Sequence, residues 1–204
     1  MKDLVVVVAD KDMQYALRGM LERPQALGIR QIKQDIYSHP LHDPACAQQG
    51  VEFMSGFSEQ YHYGLLMFDH KGSGREQTHP QELAGAINDD FVRSSWGDRA
   101  KVIVLVPELE VWVWNDSPHV GRIAGWEGNS QQLCSWLIEQ GYLQEGEAKP
   151  ARPKKAFEAV LRQSRTPRSS SLYLELARTV SLARCSDVAF LEFKRILQDW
   201  FPPL

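Results

Sequence analysis

The chain has 204 residues, with 23 Lys plus Arg against 26 Asp plus Glu, 43% hydrophobic and 24% charged residues, and a formal net charge of −3. These proportions are those of an ordinary globular protein and exclude disordered and fibrous classes. The longest apolar run, Leu4 to Ala9, falls far short of the roughly 18–20 residues a membrane span needs, and the Met-Lys-Asp start lacks a basic-then-apolar signal segment, so a cytoplasmic protein without a membrane partner is expected. Cys46, Cys134 and Cys185 are odd in number and far apart, which argues against disulfides and a structural zinc site.

Leu4-Val-Val-Val-Val-Ala9 is continuous and β-branched, the pattern of a strand buried on both faces in a parallel sheet. Met13, Ala16, Leu17, Met20 and Leu21 follow at helical spacing. Ile29 to Tyr37 alternates imperfectly, as an outer strand does. Val51, Phe53, Met54 and Phe57 predict a second helix, and Gly64 to Asp69 a second buried strand. A third helix over Leu83, Ala86, Ile87 and Phe91 leads to a last strand, Lys101 to Pro107. The order predicts an α/β core over residues 1–115, a parallel sheet of about four strands flanked by helices with right-handed crossovers.

Residues 116–204 read as a helical C-terminal region. Ser130 is placed to cap a helix carrying Leu133, Trp136 and Leu137 that stops at Gly141, and Pro153 to start one carrying Ala156, Phe157, Val160 and Leu161. Ser169 to Ser171 precede a third, and Ser186 or Asp187 a last one ending at Pro202, with Gln144 to Pro150 as a linker. From Lys149 to Arg184 there are nine basic residues and two acidic ones. Such a segment suits phosphates or an acidic partner surface, or simply solvated helix faces. Lys149, Arg152, Lys154, Lys155, Arg162, Arg165 and Arg168 are its candidate contacts, expected as one positive face beside the strand ends.

In an open parallel sheet, ligands bind beyond the carboxyl ends of the strands. Here those ends carry Asp10 and Asp12, then Asp69-His70-Lys71-Gly72-Ser73-Gly74, then Pro107-Glu108-Leu109-Glu110. Each acid alone reads as a helix cap or turn residue, but carboxylates crowded at three strand ends repel one another and call for a cation. Mg²⁺, or Mn²⁺, matches such an oxygen-donor set, with Asp10, Asp12, Asp69, Glu108 and Glu110 as ligands.

This order, with its trailing Pro-Glu-Leu-Glu-x-Trp, resembles the Toprim fold of topoisomerases, primases and OLD-type nucleases, and most of all the small Toprim-like proteins of bacterial defence islands. The resemblance implies a metal-dependent nuclease-like component of an antiviral system, meeting nucleic acid and other defence proteins. It implies that Asp10 or Asp12 stands for the first-strand glutamate, Asp69 for the first Asp of an Asp-x-Asp pair, and Glu110, or Glu108, for the late acid. Two positions depart from the pattern. The first acid is Asp rather than Glu, and Lys71 replaces the second Asp of the pair. A lysine there contacts phosphate or substitutes for a second metal's charge, or else it marks the loss of metal chemistry and leaves a non-catalytic interaction subunit. Lys71 is thus a catalytic candidate and Arg75 a phosphate contact.

Gly72-Ser73-Gly74 lacks phosphate-loop spacing and reads as a turn. His39, His42, Asp43 and Cys46 are too crowded for zinc, although His39 or Asp43 is placed to line the strand-end cleft. Trp112 and Trp114 share a face if their segment is extended, in core packing or as a stacking surface. A response-regulator receiver also places acids after its first and third strands, but its terminal Lys-Pro is missing.

Overall fold

The computed structural model describes residues 1–114 and 117–203, so the expected domain boundary at 115 and 116 lies outside the described residues. Four strands, β1 (Lys2–Val8), β2 (Gln34–Ser38), β3 (Tyr61–Asp69) and β4 (Ala100–Leu105), form one sheet in the order β2-β1-β3-β4. Every pairing is parallel; Val6 lies opposite Ile36 on one side and Leu65 on the other, and Asp69 opposite Leu105. The crossovers are α1 (Lys11–Leu21) with the short α2 (Pro24–Leu27), α3 (His42–Ser55) and α4 (Pro80–Arg93).

Strand β1 is central, and the chain leaves it toward β2 on one side and returns past it to β3 on the other. The switch in strand order therefore falls between β1 and β3, where the loops at the carboxyl ends diverge. Period-2 alternation sorts the central strands into two cores. Leu4, Val6, Val8, Leu65 and Met67 join α1, while Val5, Val7, Leu66 and Phe68 join Leu83, Ile87 and Phe91 of α4.

The C-terminal helices are α5 (Pro118–Ile123), α6 (Ser130–Glu139), α7 (Pro153–Gln163), α8 (Ser170–Thr179) and α9 (Val188–Trp200). Their Phe157, Tyr173, Phe190, Phe193 and Phe201 belong to the same buried cluster as the α1 face of the sheet. Helix α8 runs close along α1: a Cβ on Gly19 would lie 2.7 Å from the Leu174 carbonyl and 2.8 Å from Ala177 Cβ. The second half of the chain thus completes the cover over one face of the sheet.

The structure moves several expected boundaries. Strand β2 begins at Gln34 rather than Ile29, because Ile29 and Ile32 are buried by the loop that precedes it. Helix α3 begins at His42, so His42, Asp43 and Cys46 ride on a helix instead of a loop. Asn129, not Ser130, caps α6, through a capping box with Gln132. The segment before Trp112 is a 3-10 turn, Leu109–Val111, rather than extended. The two indoles accordingly part, Trp112 donating to Asp187 and Trp114 to the Pro153 carbonyl, each at 2.9 Å.

Candidate functional site

The acids at the strand ends are held by local hydrogen bonds. Asp10 is the N-cap of α1 and accepts the Met13 amide at 2.9 Å, which fixes it at the mouth of β1. Asp43, in the first turn of α3, accepts the Asp69 amide at 2.8 Å, and Asp69 accepts the Leu109 amide at 2.8 Å. Three segments that are distant in sequence, the starts of α3 and of the 3-10 turn and the end of β3, are stitched together through carboxylates. Asp69, Glu108 and Glu110 are 6%, 3% and 1% exposed.

Burial of such groups is unfavourable unless they are paired. Glu108 is paired at both oxygens, by the Lys71 ammonium at 3.0 Å and the Lys154 amide at 3.0 Å. Asp12 is likewise engaged, by Ser170 at 2.6 Å and Arg168 at 2.7 Å. Glu110 accepts the Tyr173 phenol at 2.6 Å on Oε1, while its Oε2 is buried without a partner. Burial, then the charges of Asp43, Glu110 and Asp10, push Asp69 well above the ordinary carboxylate range. Burial also raises Asp43 and Glu110, in the latter against the pull of Lys154 and Tyr173. For Lys154 burial acts to lower the ammonium's pKa, but Glu110 and Asp69 outweigh it and the ammonium is raised. Four carboxylates, Asp10, Asp43, Asp69 and Glu110, therefore share the field of one half-buried lysine.

On its solvent side, Asp10 and Asp12 line an open cavity of about 310 Å³ with His39 and His42. The carboxylates are the oxygen-donor type that a hard divalent cation takes, and one Glu110 oxygen is orphaned. Among the described residues, no three His, Cys, Asp or Glu side chains are grouped so as to hold a metal ion as they stand.

The structure brings Asp10, Asp69 and Glu110 into one neighbourhood and adds Asp43, which sequence reasoning named only as a cleft liner. It turns Asp12 and Glu108 into tethers. Lys71 is half-exposed on Glu108, and Arg75 stands on an exposed loop whose Gly72 and Gly74 amides donate to Glu76 Oε1 at 2.8 and 3.3 Å. The basic residues do not make the single positive face expected of them. Lys154 points among the acids, Lys149 donates to the Val111 carbonyl at 2.9 Å, and Arg168 bridges Asp12 and Glu158. Arg152, Lys155, Arg162 and Arg165 remain exposed. His39 is buried against Phe53 with ring centroids 4.6 Å apart, and burial pushes the Cys46 thiol up to about 12, so neither is a free ligand. Tyr173 went unrecognised as a site residue because it sits at core spacing with Leu176 on α8.

Fold and site together define an all-parallel α/β protein with a buried acid cluster at the switch point of its sheet. Comparison with known protein families, characterised proteins and solved structures finds no match. Among the described residues no helix is long and apolar enough to cross a membrane.

Proposed function

We propose that this chain is a phosphodiester-directed protein of Toprim type, a nuclease-like component of a bacterial antiviral system that acts on nucleic acid in the cytoplasm with Mg²⁺ or Mn²⁺. The observation that carries the reading is the surplus of buried negative charge at the switch point, with Asp69 and Glu110 raised and Glu110 Oε2 unpartnered. Carboxylates gathered at one strand edge supply the oxygen donors that metal-assisted hydrolysis uses, and a bound cation would offset their like-charge repulsion. Bound at Asp10, Asp69 and Glu110, a divalent ion would stabilise charge developing on a scissile phosphodiester and supply an activated water. Tyr173 holds Glu110 in place, and Asp43 orients Asp69 through its amide. Lys154 pulls against burial at Asp69 and Glu110, while Lys71 and Arg75 would meet phosphate oxygens. The exposed Arg152, Lys155 and Arg162 of the α7 segment would carry the flanking backbone, which makes binding steeply salt-dependent.

A second reading, a non-catalytic interaction subunit of a multi-protein defence complex, is favoured by one observation. Asp12, Glu108 and Glu110 each bond to the C-terminal helices, so the acids also serve as internal ties. Incubation of the purified chain with DNA, RNA and nucleotides in Mg²⁺ or Mn²⁺, beside Asp69→Asn, separates the two. Metal-dependent turnover that falls on the order of 10²-fold or more in the variant is expected. Turnover absent under every condition, or unchanged by the substitution, leaves the interaction subunit.

A further inference from the structure

Strand β4 ends the sheet on one side, and among the described residues no strand pairs with its outer edge. Along a parallel strand the backbone turns its N–H and C=O groups alternately to one side and the other. The Leu105 carbonyl accepts the His70 amide at 2.8 Å, so Leu105 faces β3. In the trans peptide that follows, the N–H of Val106 points the opposite way, to the open side. Val102 has the same phase, since its amide donates to the Asn88 side chain of α4 at 3.0 Å. That contact covers the early part of the edge. Beyond it, the Val104 and Val106 amides and the Val104 carbonyl face outward with no partner among the described residues. A short stretch of strand edge is therefore left ready to pair.

This stretch lies in a groove of about 490 Å³ between the first turns of α4 and α9. Pro80 and Ala84 line one wall, Val188 and Ala189 the other, with Val104 and Val106 between them. Val106 and Val188 are 44% and 72% exposed, and Leu191, one turn further along α9, is 50% exposed. Large apolar side chains thus stand open on and beside the one part of the edge whose amides are unmet. The charged lining is acidic, Asp187 and Glu192, with no Lys or Arg among the described residues. Asp187 is committed, its Oδ1 accepting the Trp112 indole at 2.9 Å and the Phe190 amide at 3.1 Å, whereas Glu192 is exposed and makes no ion pair among the described residues.

We propose that this groove is a docking site for an extended, basic segment of a partner protein, which adds a short strand to β4. Its backbone would pair with the Val104 and Val106 amides and the Val104 carbonyl, and its alternate side chains would place apolar groups against Val106 and Val188 and a Lys or Arg beside Glu192. The walls select this occupant. A second copy's β4 is flanked by its own α4 and α9 and cannot reach between these two helices, whereas a single extended segment is slim enough to enter. The acidic lining repels a nucleic-acid backbone and favours a cationic peptide. The inference does not depend on the function proposed for the acid cluster.

Selection of the full chain against a library of acetylated, amidated hexapeptides tests it. Enrichment is expected for β-branched residues at alternate positions with Lys or Arg between them. N-methylation of the selected peptide, one amide at a time, reads the backbone pairing. Affinity should fall about tenfold at the amides that face β4 and hold at those between, because only alternate amides of an added strand reach the edge. Glu192→Lys should weaken binding about fivefold, while Glu139→Lys, the same change of charge at an exposed site on α6, should leave it unchanged. Both positions are exposed, so neither loss can be put down to unfolding. No enriched sequence, methylation effects that do not alternate, or equal loss in the two charge variants overturns the proposal. Sedimentation showing a dimer that Val188→Arg dissociates, with no peptide selected, assigns the groove to a second copy instead.

Discussion

The two ends of the sheet treat their carboxylates in opposite ways. At the amino ends, Asp3 meets Arg30 at 2.6 Å and the Lys33 amide at 2.7 Å, and Asp35 meets Lys2 at 2.6 Å and the Tyr61 phenol. Burial acts against Asp3, but Arg30 and Lys33 hold it below the ordinary carboxylate range, as Lys2 and Tyr61 hold Asp35. At the carboxyl ends, Asp43, Asp69 and Glu110 are raised, because burial and like charges outweigh the Lys154 ammonium that faces them. The same residue type stabilises the fold at one end and works against it at the other. Under the function proposed above, the end whose groups are kept in unfavourable protonation environments is the one that would carry the chemistry.

The contrast is broken most severely by removing the lysine. Lys154→Met leaves the carboxylates without their counter-charge, and a loss of about 2–3 kcal/mol is expected in chemical denaturation. If the proposed cation site exists, added Mg²⁺ should recover more stability in Lys154→Met than in the parent, because ion and ammonium then answer the same field. Equal response in both proteins would separate the lysine from any cation site. Next in size is Asp69→Asn, which keeps the acceptor for the Leu109 amide but removes a buried charge. It should gain about 1 kcal/mol, or roughly 3 °C in Tm, at neutral pH while losing turnover. Asp3→Asn at the other end should do the reverse and cost about 0.5–1 kcal/mol, less at high salt because the Arg30 pair is part-exposed. Two substitutions of identical chemistry would then differ in sign. Equal signs would dissolve the distinction between the two ends.

Much of this was legible in the sequence, for reasons that differ by element. The central strands β1, β3 and β4 announced themselves because both faces are buried, which forces unbroken runs such as Leu4-Val-Val-Val-Val-Ala9. The acids at Asp10, Asp69 and Glu110 were legible because strand ends in a parallel sheet share one edge whatever the loops do. Strand β2 was misplaced by Ile29 and Ile32, whose apolarity serves a buried loop. The inward turn of Lys154 was not legible. Its neighbours Arg152 and Lys155 are exposed, and only the packing of α7 against the turn holding Glu108 decides which of the three faces the acids. Tyr173 was hidden for the complementary reason, since a buried tyrosine at core spacing reveals nothing about where its hydroxyl goes.

The smallest expected effect is in the pH dependence of stability, and its sign separates the two ends of the sheet without touching activity. A carboxylate whose folded pKa is raised binds its proton more readily in the folded state, so Asp43, Asp69 and Glu110 make stability rise as pH falls from neutral through their raised values. That gain is complete once the pH drops below the ordinary carboxylate range, where the unfolded chain is protonated too. Asp3 and Asp35 act the other way: their contribution is present above the ordinary range and is lost as pH falls through their depressed values. His39, lowered by burial and then by His42, works against the gain between its ordinary and its depressed value, because the unfolded chain takes up that proton first. Scanning calorimetry between about pH 7 and pH 3 on the parent, Asp69→Asn and Asp3→Asn removes the histidine by difference. The parent minus Asp69→Asn difference in Tm should shrink as pH is lowered, and the parent minus Asp3→Asn difference should shrink only below the ordinary carboxylate range. A parent minus Asp69→Asn difference independent of pH would mean that Asp69 is not held above its ordinary value, and the crowded carboxyl end would lose its claim to be the functional one.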